Sequence, residues 1–165
     1  MRMILAAIAA FAVLQGAQAK AADMKPIDHT DIDRWTAAWN SHDIDQVSAL
    51  FAPDVVIYQP ENPKPLDAKG LRGFFSMIFT AYPDFKIEVQ DALIDGMKAA
   101  TFERVTGTWR GPFVDPATGK STPGNGRAFD HLGVMYIVYN PDHKIREVRI
   151  YWDRLTVDQQ LGIKP

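Results

Sequence analysis

Apart from a short strand at Val55–Tyr58 and the tail at 154–163, the spacing of apolar residues shifts near residue 84, and that shift constrains the fold more than any other feature. Before it, apolar residues recur at three and four, the spacing of one helix face; after it they recur at two, the spacing of half-buried strands. Thr30 caps the first helical stretch, with Asp31 and Asp33 near its positive end and Trp35, Ala38 and Trp39 as its apolar stripe. Asp43 with Gln46 is a capping-box pattern that opens a short helix through Val47, Leu50 and Phe51. Pro53-Asp54 ends that helix, and Val55 to Tyr58 reads as a strand. Asp67 caps a third helix with the face Leu71, Phe74, Phe75, Ile78 and Phe79, which Pro83 stops.

Phe85, Ile87, Val89 and Leu93 then alternate with Lys86, Glu88 and Gln90, and Asp95-Gly96 is a two-residue hairpin turn. A strand runs from about Ala99 to Arg110. Residues 111–127, with four glycines and three prolines, form a long connection, either a flap or a wide hairpin loop. Phe129 to Tyr139 is a strand, Asn140-Pro141-Asp142 a turn and Lys144 to Asp153 the last strand. Residues 154–163 make a short helical or extended tail. Helices first and an antiparallel meander afterwards predict a two-layer α+β domain over residues 28–163.

The front of the chain has a different logic. Arg2 is followed by an apolar run from Met3 to Leu14, and Ala17-Gln18-Ala19 supplies small residues for cleavage. Twelve apolar residues fall short of the roughly 20 that a spanning helix needs. Residues 1–19 therefore read as a secretory signal, with cleavage as late as residue 22, and the protein is expected to be periplasmic or secreted. The chain contains no cysteine, so disulfides, thiol nucleophiles and cysteine metal sites are excluded even in an oxidising compartment. A net charge of −2 with no basic stripe argues against nucleic-acid binding, and no membrane association is expected once the signal is gone. Neither metal-ligand spacing, a phosphate-binding glycine loop nor a nucleophile elbow occurs, so no cofactor is expected.

The order of elements resembles the nuclear-transport-factor-2-like superfamily, and within it the SnoaL-like polyketide cyclases. The resemblance covers nearly all of residues 30–163 and is carried by Trp39-Asn40-Ser41-His42-Asp43, Leu50-Phe51-Ala52-Pro53-Asp54-Val55, Lys144-Ile145-Arg146-Glu147, Tyr151-Trp152-Asp153-Arg154-Leu155 and Gln160-Leu161-Gly162. It implies a cystatin-like cone: a curved antiparallel sheet covered by N-terminal helices, with a pocket inside and a homodimer through the outer face. Cyclases, isomerases and epoxide hydrolases share that fold with proteins of no known reaction. It also implies an acid where this chain has Ile150, which can neither give nor take a proton. Gln59 stands at the isomerases' position at the end of the first strand.

Parity on the last strand puts Arg146, Val148, Ile150 and Trp152 on the apolar, pocket-facing side, and Asp153 outward as a partner for Arg154 or a cap for the tail. Among four histidines only His131 falls inside a strand, on a face with Phe129, Gly133 and Met135. It is the candidate interior acid or base, against a structural histidine with its hydrogen bonds satisfied. His29 and His42 at helix boundaries and His143 in a turn read as solvated. Trp35, Trp39, Phe75, Trp109, Met135 and Trp152 line the expected apolar pocket or belong to ordinary core. Arg146 at the rim would receive a carboxylate or enolate, or stand in water. These residues favour a binder of a small apolar molecule, non-catalytic or weakly acid–base active. An isomerase, cyclase or hydrolase using His131 is the alternative, and a ligand-free dimerisation scaffold the third.

Overall fold

The computed structural model describes residues 25–60, 64–114 and 119–163, so the expected signal segment lies outside the described residues. Three helices precede or interleave the first strand: α1 (His29–Asn40), α2 (Ile44–Ser48) and, after β1 (Phe51–Tyr58), α3 (Ala68–Ala81). β2 (Lys86–Asp95) and β3 (Lys98–Thr108) follow. A two-stranded piece, β4 (Phe113–Val114) with β5 (Ser121–Thr122), interrupts the long connection. β6 (Ala128–Tyr139), β7 (Ile145–Trp152) and α4 (Arg154–Leu161) complete the chain.

The helix starts follow capping chemistry, with one shift. Asp28, not Thr30, caps α1: its carboxylate accepts from Thr30 N, while Asp31 reaches back to the Asp28 N–H at 3.0 Å. Asp43 and Asp67 cap α2 and α3 as their spacing predicts. α2 stops at Ser48, because Phe51 already belongs to β1, and Pro53 sits within that strand rather than before it. β1 is the edge of the sheet, where a residue without an N–H removes no ladder bond from a second neighbour.

The main sheet has the order β1-β7-β6-β3-β2. β2, β3, β6 and β7 form the expected antiparallel meander, but β1 pairs parallel with β7, so the sheet is mixed and open. The first hairpin closes through Gly96-Met97, since Asp95 pairs with Lys98; Gly96 takes φ +59°, a conformation that suits glycine. α1 is tied to the sheet by Asn40, whose amide donates to Ile87 O and accepts from Ile87 N, both at 2.9 Å.

Two β-bulges decide which side chains face the helices. One lies between Val89 and Asp91 on β2, and beyond it Leu93 turns outward and is 73% exposed. The other lies where Tyr139 pairs Ile145 and Val138 pairs Glu147. It puts Ile145 in the core and leaves Arg146 exposed, so Arg146 does not face the interior as strand parity requires.

The long connection is held down. Arg110 and Gly111 donate their backbone N–H to Ala81 O at 2.9 and 3.1 Å, at the end of α3. A Cβ on Gly111 would stand 2.0 Å from Thr80 O, which fixes glycine there by close approach. Among the described residues no helix is long and apolar enough to cross a membrane.

Candidate functional site on the inner sheet face

The core between α1, α3 and the sheet is an aromatic cluster. Trp39 meets Trp35 at 5.5 Å between ring centroids, Phe75 at 4.8 Å and Phe85 at 5.6 Å, and Trp35 meets Phe51 at 6.0 Å. Trp35, Trp39 and Phe75 are all buried. Three of the expected pocket residues therefore spend their surface on one another, as edge-packed core rings do. Trp109 is also buried, at the far end of the β3–β6 pair, with its backbone bonded to Arg127 O and Gly126 N. A space of about 10 Å³, the size of one water, lies among Asp31, Trp35, Tyr139 and His143. A shallow groove of about 170 Å³ lies along Asp91–Leu93, Ala100–Phe102 and Val134. Neither matches the enclosed apolar hollow expected inside the cone.

What the sheet does bring together is a set of three rungs on its inner face. Thr101 pairs Met135, which pairs Ile150; Glu103 pairs Gly133, which pairs Trp152; and Val105 pairs His131. Toward one end this face is sealed, with Ile137, Val148 and Thr101 at 1% exposure or less. Toward the other it opens, for His131, Ile150 and Trp152 are only half-buried. Gln59, buried at the end of β1, follows Ile57 on the inward side of that strand.

His131 lies between aromatic neighbours, 5.3 Å from Trp152 and 5.8 Å from Phe129 by ring centroids. Its ring extends over Gly133, with Cε1 3.8 Å from where a Cβ there would stand. Nδ1 lies 3.1 Å from Leu132 O, so the proton assigned to Nδ1 leaves Nε2 as the basic atom. Burial among these rings lowers the histidine below its ordinary value, against the opposing pull of the Leu132 carbonyl, Asp130 and Asp153. A neutral imidazole at neutral pH is a base ready to take a proton.

Glu103 is the residue that reading the sequence missed. Its side chain is fully buried in the middle of the inner face. Oε1 accepts from Trp35 Nε1 at 3.2 Å and from Thr101 Oγ1 at 2.7 Å, while Oε2 has no partner. Burial pushes the carboxyl up to about 7, and the two hydrogen bonds only partly offset it. The nearest sequence signal is Thr101-Phe102-Glu103-Arg104-Val105, which puts Glu103 on the Val105 face; the β2 bulge then sets it opposite Val89 instead of Gln90.

The other titratable candidates have structural work. Asp153 caps α4, accepting from Thr156 N and Oγ1 at 3.1 and 2.6 Å. His42 and His143 are half-buried rather than solvated. His42 Nε2 lies 2.7 Å from Phe85 O and its ring stacks on Phe79, while His143 Nδ1 lies 3.1 Å from the Asp31 carboxylate. Among the described residues no group of three or more His, Asp or Glu side chains is placed to hold a metal ion.

The comparisons with known proteins agree on the fold. AclR, a candidate hydroxylase from Streptomyces galilaeus, superposes with a TM-score of 0.69 at 22% identity, over 83% of this chain and 85% of its own. A candidate SnoaL-like polyketide cyclase from Jannaschia sp. CCS1 gives 0.69 at 20%, over 87% and 99%. IdmH, a candidate polyketide cyclase from Streptomyces antibioticus, gives 0.63 at 28%, over 81% and 97%. Among curated proteins none matches. The family described as SnoaL-like polyketide cyclase matches residues 30–161, and the chain belongs to that family.

Proposed function

We propose that this SnoaL-like chain binds a small apolar organic molecule at the open end of its inner sheet face and acts on it by proton transfer, with His131 as the base. Met135, Ile150 and Trp152 supply the apolar contact surface. The observation that carries the reading is the state of His131: half-buried between Phe129 and Trp152, with its charged form disfavoured. Ile150 stands where the family resemblance implies an acid, so the histidine one strand away takes over the proton-handling role. A positioned acid–base group of this kind contributes about 10²–10⁴-fold in rate.

Hydrogen–deuterium exchange at the methyl group of 2-acetylnaphthalene in D₂O, followed by NMR, tests this directly. Wild type should accelerate exchange with a rate that falls as pH drops and His131 protonates, and His131→Ala should lose about 10²-fold while folding normally. Exchange equal in both proteins, or absent although the compound binds, leaves a plain binder. We propose further that residues 1–19 direct export.

A second reading, a dimerisation scaffold, is favoured by the other side of the sheet. Phe102, Val134 and Tyr151 form one apolar rung across three strands, and Leu132 beside them is 53% exposed. Val134→Glu should convert a dimer to a monomer by sedimentation. A wild type already monomeric at about 100 μM, well above the Kd range of specific interfaces, ends that reading.

A further inference from the structure

We infer that Glu103 is the polar recognition group of this site: as a carboxylic acid it donates through Oε2 to an oxygen of the bound molecule, which makes apolar carbonyl compounds the ligand class. The inference rests on the inner sheet face being the binding surface.

The hydrogen bonds fix the direction. Oε1 accepts from both Trp35 Nε1 and Thr101 Oγ1, so its lone pairs are engaged. In the acid form the proton then sits on Oε2, which turns that atom from an unpartnered acceptor into an unpartnered donor. A fully buried polar atom left in that condition costs free energy, and an acceptor on a ligand recovers it. The charge count points the same way. None of the described ion pairs involves Glu103, and no cation figures among the influences on its titration, whereas Asp31, another buried carboxylate, pairs with Arg34. An unpaired carboxyl in such surroundings favours its neutral form.

The rungs supply the place. Gly133 adds no side chain of its own to the rung shared by Glu103 and Trp152, and the His131 ring reaches over it, with Cε1 3.8 Å from where a Cβ there would stand. His131 is the diagonal neighbour of Glu103 across the β3–β6 pair, roughly 7–8 Å away by the geometry of such pairs. A molecule whose apolar body rests on Trp152, Met135 and Ile150 thus has the acid on the β3 side and the imidazole beside it. A carboxylate ligand would meet an acid that cannot neutralise it. An ammonium ligand would require Glu103 to ionise.

Three naphthalenes of nearly equal shape separate these cases by ligand-observed NMR titration of the full chain: 2-acetylnaphthalene, 2-isopropenylnaphthalene and 1-(2-naphthyl)ethylamine. At about pH 6 the ketone should bind about 10-fold more tightly than the alkene, the worth of one buried hydrogen bond. That preference should shrink in wild type by about pH 8.5, where the acid has lost its proton. Glu103→Gln should keep it at both pH values, because its amide accepts at one position and donates at the other without titrating. Glu103→Leu should abolish it. Should Glu103→Leu fail to fold, the pH dependence of wild type against Glu103→Gln decides alone. Equal affinity for ketone and alkene overturns the role of Glu103 while the binding surface stands. Tightest binding of the amine overturns it too, in favour of a carboxylate acceptor. If none of the three binds at any pH, the binding surface itself is refuted and this inference falls with it.

Discussion

Replacing Glu103 by glutamine should change how the stability of this protein depends on pH. In the unfolded chain the carboxyl titrates at 4.5, and in the folded core it does so at about 7. The native state therefore holds the proton more tightly than the unfolded state does. Its stability from this group is fully present below pH 4.5, declines as pH rises across that interval, and is lost above about 7. Each pKa unit is ~1.4 kcal/mol, so the decline amounts to about 3 kcal/mol. Glutamine retains an acceptor for Trp35 Nε1 and Thr101 Oγ1 but cannot ionise. Urea unfolding of both proteins from about pH 5 to pH 8.5 gives the comparison, and taking the difference at each pH cancels the histidines that titrate in the same window. Glu103→Gln should gain on wild type by about 2–3 kcal/mol across that range, then run parallel to it. Parallel curves throughout would mean that the carboxyl carries no burial penalty, and the account of the inner face would fail at its centre.

Other perturbations probe how the site is framed. Asn40→Ala leaves the N–H and C=O of fully buried Ile87 without their side-chain partner and should cost about 2–3 kcal/mol in urea unfolding, uncoupling α1 from β2. Gly111→Ala forces a Cβ toward Thr80 O and should break both bonds to Ala81, at a cost of about 1–3 kcal/mol and with faster amide exchange at Arg110.

The two most informative errors of sequence reading share one cause. Strand parity assigns Leu93 to the core with Val89, and Arg146 to the interior with Val148. Each assignment holds only if the pleat runs unbroken, and each strand carries a bulge between the two residues. One extra residue reverses the facing of everything beyond it. Solvated readings of His42 and His143 failed for a related reason. Their partners, Phe85 O and Asp31, lie 43 and 112 residues away, where no local pattern reaches.

The local chemistry of the chain fixed its helices, its turns and its order of elements. Caps such as Asp43 and Asp67 act within three residues, and apolar periods of 3.6 and 2 are properties of a short segment. That order is also enough to place residues 30–161 in their family. Facing and polarity on the inner sheet face needed the folded molecule. The β2 bulge sets Glu103 opposite Val89 rather than Gln90, Trp35 reaches it from 68 residues away, and burial then raises its titration to about 7. A carboxyl's environment is a sum over every neighbour in space, and most of those neighbours are remote in sequence.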